Sequence, residues 1–213
     1  MKVFTIPVTP FMQNCRVIAC DLTGKAAIVD PGGDAEKILA VVKENKLQVE
    51  FVLLTHGHLD HVGVSKVISQ SLDVEIIGPH IDDKFWLDEL PMQAQMFGFA
   101  PHTAFLPNRW LSEGEVVKLG ELKLQVRHCP GHTPGHVVFY EPASATVLVG
   151  DVLFKGSVGR TDFPKGDAAQ LKHAIETKLF TLGDETRVMS GHGEDTTIGY
   201  EKRNNPFMSG RFG

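Results

Sequence analysis

Three histidines and one aspartate fall within six positions of this chain, at His56, His58, Asp60 and His61. Imidazole and carboxylate donors at that density suit zinc, iron or manganese. The bland alternative is a polar loop rich in histidine by accident, and a cluster this dense is hard to obtain from packing alone. Residues of the same types recur further along: His132 within Pro130-Gly131-His132-Thr133-Pro134-Gly135-His136, Asp151 after Gly150, and His192 after Gly191. Together these are five histidines and two aspartates. That is enough for two ions with about three protein ligands each and an open position for water, the catalytic rather than the structural arrangement. A carboxylate such as Asp151 can bridge two cations, whereas one imidazole nitrogen binds only one.

Each group of donors follows a segment that reads as a strand. Val49 to Leu54 is a continuous apolar run, as expected of a strand buried on both faces, and it leads into the His56 loop. Leu122, Leu124 and Val126 alternate with Lys123, Gln125 and Arg127, a half-buried strand leading to His132. Val137–Tyr140 and Thr146–Val149 read as a hairpin whose second strand ends at Gly150-Asp151. Arg187 to Met189 is a short strand before His192. Upstream, Val3–Val8, Cys15–Cys20 and Ala26–Val29 are β-prone runs separated by turn residues. Helices are predicted at Asp34–Lys46, Gly63–Leu72 and Asp167–Leu179. Phe85, Trp86, Leu87 and Leu90 predict a helix stopped at Pro91; Met92, Met96, Phe97 and Phe99 form a further apolar face, read as core rather than as a lid. Phe154 to Gly166 reads as a Gly-rich loop, and the tail from Thr196 as turn-rich. Loops at sheet ends are where a rigid scaffold carries catalytic groups.

Composition narrows the function. Across 213 residues, hydrophobic residues make up 42% and charged residues 22%, an ordinary globular balance sized for one domain. A net charge of −5 argues against a nucleic-acid partner. No apolar run is long enough to span a bilayer. The N-terminus lacks the h-region of a secretory signal, and Cys15, Cys20 and Cys129 make neither a disulfide framework nor a CxxC pair; a cytoplasmic protein is expected.

The ordered set His-x-His-x-Asp-His at 56–61, Pro-Gly-His-Thr-Pro-Gly-His at 130–136, Gly150-Asp151 and Gly191-His192 resembles the metallo-β-lactamase superfamily. Within it the chain is similar to glyoxalase II, most of all to short bacterial glyoxalase-II-like hydrolases of the YcbL type. The matching segments include Val29–Asp34, Leu54–Gly63, Phe154-Lys155-Gly156 and Gly159–Pro164. The resemblance implies an α+β fold, an αββα sandwich of two mixed sheets with helices outside. It implies one metal at His56, His58 and His132, a second at Asp60, His61 and His192, and Asp151 bridging them, with zinc foremost and iron or manganese also accepted. The whole of 1–213 would be a single such domain. Lactamases of the superfamily place a cysteine among the second-site ligands, and Asp151 stands there instead. Full-length glyoxalase II adds a C-terminal helical region that contacts glutathione; this chain stops at Gly213, and the expectation is a domain without it.

The expected activity is hydrolysis of a thioester, S-lactoylglutathione foremost, by water held between two metals, with Asp60 and Asp151 as catalytic carboxylates and a small glutathione-derived molecule as partner. In glyoxalase II a basic residue at the position of Arg160 meets the glycine carboxylate of glutathione. Arg160 and, with less support, Lys155 are therefore the expected substrate contacts, against the alternative of ordinary surface charge. The rival is a mononuclear-iron persulfide dioxygenase, a class of this superfamily that also carries Gly-Arg-Thr-Asp-Phe as at 159–163; its iron would sit on His56, His132 and Asp151. A vestigial, non-enzymatic site is the third reading. Asp30 is expected to orient a ligand histidine, His136 to pack or support, and His128 and Cys129 to be buried structural residues. No constellation is expected around His80, His102 or His173.

Overall fold

The β-prone runs of the first third pair with one another, and those of the last two thirds pair separately, in a computed structural model that describes residues 1–209. In the first sheet β1 (Lys2–Val8), β2 (Gln13–Ala19) and β3 (Lys25–Val29) run antiparallel. After α1 (Ala35–Glu44), β4 (Gln48–Leu53) joins β3 in parallel. Two helices follow, α2 (Leu59–Val62) and α3 (Ser65–Leu72), and then β5 (Glu75–Ile77), parallel to β4. A helical hairpin, α4 (Lys84–Asp88) and α5 (Leu90–Phe97), leads by a long connection to the second sheet.

That sheet holds β6 (Val116–Leu119), β7 (Leu122–His128), β8 (Val137–Glu141) and β9 (Thr146–Gly150) as an antiparallel meander. A two-stranded ribbon, β10 (Leu153–Phe154) with β11 (Ser157–Val158), stands apart. After α6 (Ala168–Ala174), which continues as a π-helical turn over Ile175–Leu179, β12 (Arg187–Ser190) enters beside β9 in parallel. β13 (Thr196–Thr197) and α7 (Ile198–Asn204) close the described chain.

Three apolar layers follow from the period-2 alternation of the strands. Ile18, Val29, Phe51 and Leu53 of the first sheet meet Leu124, Val126, Phe139 and Leu148 of the second. The other face of the first sheet, with Val17, Ile28 and Val52, packs on Ile38, Leu59 and Ile68 of the helices. The other face of the second, with Val138, Val147 and Val188, packs on Leu171, Ile175, Leu179 and Ile198. The order is helix, sheet, sheet, helix: the expected αββα sandwich.

Four local expectations are corrected. Pro91 does not stop a helix. It sits in the first turn of α5, where its missing N–H costs nothing. The helix expected from Gly63 to Leu72 is broken at Val64 (φ −112°), whose N–H bonds to Pro31 O at 3.0 Å. The Gly-rich loop contains the β10–β11 ribbon. The tail carries a helix capped by Thr197, whose hydroxyl accepts the Tyr200 N–H at 3.2 Å. Its inward face includes Glu201, a fully buried carboxylate that accepts Gly156 N, Thr196 Oγ1 and Asn205 Nδ2, so hydrophobic periodicity does not reveal it.

Candidate metal centre

The loops after β4, β7, β9 and β12 meet at one edge of the sandwich. The β4 loop delivers His56 and His58, and the first turn of α2 delivers Asp60 and His61. His132, Asp151 and His192 arrive from the second sheet. This convergence needs glycine at close approaches. A Cβ on Gly32 would lie 1.5 Å from Asp60 O, and one on Gly191 would lie 2.3 Å from Asp151 Oδ1.

The seven expected side chains are all brought together. His58 Nδ1 lies 3.1 Å from His56 Nε2 and 3.0 Å from His132 Nε2. In the neighbouring group, His192 Nε2 lies 3.2 Å from Asp60 Oδ2 and 3.3 Å from His61 Nε2. Asp151 stands between them: its Oδ1 is 3.3 Å from His61 Nε2, and its Oδ2 is 3.5 Å from His192 Nε2 and 3.6 Å from His132 Nε2.

These donors fit metal ions. Nitrogens bound tetrahedrally to one zinc at 2.0–2.1 Å stand about 3.3 Å apart, close to the spacings here. Burial lowers the pKa of His56, His58 and His132, which keeps these imidazoles neutral with a lone pair to give. His132 Nδ1 donates to Arg160 O at 2.7 Å, leaving Nε2 free to face the centre. Asp151 Oδ1 is buried without a hydrogen-bond partner. Burial alone would raise the Asp151 pKa, but the imidazoles around it, His61 foremost, hold it below the usual carboxylate range. Burial opposes charge on His61 and His192 too. The Asp151 and Asp60 carboxylates outweigh it at His61, and Asp60 and Asp151 do so at His192, raising both.

The supporting hydrogen bonds are equally defined. Asp30 Oδ2 accepts from His61 Nδ1 at 2.9 Å and from Thr55 Oγ1 at 2.6 Å, while its Oδ1 accepts the Thr55 N–H at 2.8 Å. Asp30 therefore orients a ligand-type histidine, as expected. His136 Nε2 accepts the Asp151 N–H at 3.0 Å, and its ring stacks on His56 with centroids 4.6 Å apart. Sequence reasoning missed Asp83. This buried carboxylate accepts Gly57 N and Thr133 Oγ1, each at 2.8 Å, and Gly135 N at 2.5 Å, tying the two histidine loops together. Burial outweighs those three donors and pushes the Asp83 carboxyl up to about 7. Within Ile81-Asp82-Asp83-Lys84 it looks like surface charge, so no local signal could have found it.

Three further expectations change. His128 is only half-buried; it donates to Pro134 O at 2.8 Å and stacks on His80 at 4.3 Å. His80 thus does belong to a constellation, with His128 and Asp82. Met92, Met96 and Phe97 are not core: they stand 51%, 66% and 40% exposed and line a cavity of about 480 Å³ above the metal-ligand cluster. Arg160 lines this cavity as well. Its guanidinium forks onto Asp162 at 2.9 and 2.7 Å and lies over the Phe163 ring. Lys155 pairs with Glu194 at the surface.

Comparison with known proteins agrees with this geometry. The chain is 49% identical to the hydroxyacylglutathione hydrolase GloC of Haemophilus influenzae over 99% of its own length and 100% of that protein. Among solved structures, BLEG-1 B3 metallo-beta-lactamase superposes with a TM-score of 0.90 at 35% identity, covering 98% of this chain and 100% of that one. TTHA1623 in a di-iron-bound form superposes at 0.88 with 39% identity, covering 96% and 100%. The family description that matches residues 8–192 takes in every one of the seven converging donors, and by that match and these relatives the chain belongs to the metallo-beta-lactamase superfamily.

Proposed function

We propose that this protein is a binuclear metal-dependent hydrolase that cleaves thioesters of the hydroxyacylglutathione type, S-lactoylglutathione foremost. The observation that carries this is Asp151, set between two complete donor groups at the floor of an open cavity. The GloC relative supports the thioester class.

His56, His58 and His132 would hold one cation, Asp60, His61 and His192 the other, and Asp151 both; zinc is foremost, and iron or manganese suits the same donors. Bound there, a pair of divalent cations supplies Lewis acidity and lowers the pKa of a shared water towards neutrality. The Asp60 and Asp151 carboxylates orient the attacking water from the cavity floor. His132, locked by Arg160 O, and His56, locked between Thr55 and the His136 ring, keep the floor in register. A thiolate leaves without a strong general acid, because free thiols ionise near ~8.5. Thioesters therefore suit a floor that offers no separate acid better than amides do. Arg160 is the residue proposed to meet a substrate carboxylate, exchanging Asp162 for it. Lys155, paired with Glu194 at the surface outside the cavity lining, is the second proposed substrate contact.

We read residues 1–213 as one domain and place the protein in the cytoplasm, which fits three buried free cysteines. The test is to load the purified protein with metal, count ions per chain, and assay S-lactoylglutathione hydrolysis beside oxygen uptake with glutathione persulfide. Two ions with thioester cleavage support the reading. One iron with oxygen uptake overturns it in favour of the dioxygenase.

A further inference from the structure

Three separate segments supply most of the apolar wall of the cavity above the metal-ligand cluster. Phe11 comes from the β1–β2 connection; Trp86, Met92, Met96 and Phe97 come from α4 and α5; Phe163 comes from the loop after β11. They meet edge to face. Phe11 and Phe97 have centroids 5.7 Å apart at 89°, and Phe97 and Phe163 stand 6.3 Å apart at 87°. Large apolar side chains stay in water here: Phe11 is 44% exposed and Met96 66%. An exposed apolar patch above a reactive floor marks a binding surface. Methionine thioethers let such a wall adapt to flexible ligands.

The polar groups on the wall do not match a charged peptide. Gln93 is spent internally: its Oε1 accepts Leu59 N at 2.8 Å, and its Nε2 donates to Trp86 O at 2.8 Å. Apart from Arg160, which pairs with Asp162 and is the residue proposed for the glutathione carboxylate, the ionisable group on the wall beyond the floor is an acid, Glu89. Apolar surface is thus what the cavity offers.

We infer that this cavity binds the acyl side of the substrate, and that beside S-lactoylglutathione the protein cleaves thioesters of bulky apolar acyl groups, the longer chains in preference to the shorter. The inference rests on the thioester reading for its chemistry, while the binding of an apolar chain stands on the cavity alone.

The test takes the metal-loaded protein through S-lactoyl-, S-acetyl-, S-butyryl-, S-hexanoyl- and S-octanoylglutathione. In parallel, calorimetry measures binding of the uncleavable S-methyl, S-butyl and S-octyl thioethers. We expect kcat/KM to rise at least tenfold from acetyl to octanoyl, by up to about fourfold per buried methylene. Thioether affinity should climb in parallel. Met96→Glu, at a well-exposed position, should flatten both series. A flat or falling series with S-lactoylglutathione still turned over overturns this inference and leaves the hydrolase reading standing. No cleavage of any thioester by fully loaded protein overturns the hydrolase reading; the thioether series then decides the cavity, a rise with chain length supporting its apolar role and no rise overturning it.

Discussion

Replacing Asp30 by asparagine changes one oxygen to an amide and should cost the protein its grip on one metal ion. The carboxylate accepts three hydrogen bonds, from Thr55 N at 2.8 Å, Thr55 Oγ1 at 2.6 Å and His61 Nδ1 at 2.9 Å. Asparagine has a single acceptor oxygen. If that oxygen keeps the Thr55 N–H, the new NH2 faces His61 Nδ1 and donates to it. The imidazole proton must then sit on Nε2, the atom that points at His192 and Asp151. If the side chain flips, the NH2 opposes the buried Thr55 N–H instead, and an orphaned buried donor costs about 1–3 kcal/mol. The first arrangement, which spares the Thr55 N–H, is the one expected, and there the His61 site weakens by roughly 10–100-fold in affinity, as for other partners that orient a metal ligand. The midpoint of thermal unfolding should fall by about 2–12 °C for a chain of this size. The assay is stepwise removal of metal by a chromogenic chelator. The variant should release one ion at chelator concentrations that leave the wild type fully loaded. The second ion should stay, because among the described residues no hydrogen bond runs from Asp30 to His58 or His132, and its hydrogen-bond link to His56 passes through Thr55 Oγ1. Two ions held at wild-type affinity would refute the tautomer argument.

Other changes test other parts of the structure. Asp151→Ala removes the carboxylate set between the two donor groups and should abolish activity and lower the metal count below two, measured by elemental analysis. Gly191→Ala places a methyl group 2.3 Å from Asp151 Oδ1 and should cut activity severely even where circular dichroism shows an intact fold. Asp83 gives a pH signature. Its folded pKa of about 7 lies above the unfolded value near 4, so the fold favours the protonated form. That contribution is complete below about pH 4 and is lost as pH rises to about 7. Asp83→Asn does not titrate, so from pH 5 to pH 8 it should gain about 2–3 kcal/mol on the wild type, read from urea midpoints. An unchanged difference between the two pH values would count against a buried, protonatable Asp83.

The metal-ligand cluster was legible because its donors are encoded in short, dense strings, each following a strand with clear periodicity. His56, His58, Asp60 and His61 share one loop and the helical turn that follows it, and a rigid sheet edge needs little more to place them. Asp30 was legible for the same reason, lying at the end of an apolar strand. Asp83 was not. Its role is to accept three donors from residues 26 to 52 positions away, and nothing in its neighbours announces that. Buried polar partners obey no period, which is also why the Glu201 face of α7 read as a turn-rich tail.

The apolar wall was misread for a different physical reason. Met92, Met96 and Phe97 carry the same hydrophobic signal as core residues, because a side chain that lines a cavity and one that fills a core are chosen for the same affinity. Periodicity reports that α5 has an apolar face; it does not report what lies opposite. Leu90 and Ala94 meet the first sheet's helical layer and are buried, while Met92 and Met96, on the other side of the same helix, meet open space. A helix apolar on both sides belongs in a deep interior or beside a ligand. With α5 at the surface, Met92, Met96 and Phe97 line the cavity, the face on which the proposed acyl chain would lie. The floor of the site thus follows from the donors at His56–His61, His132, Asp151 and His192, whereas the proposed apolar acyl chain would meet Phe11, α4–α5 and Phe163.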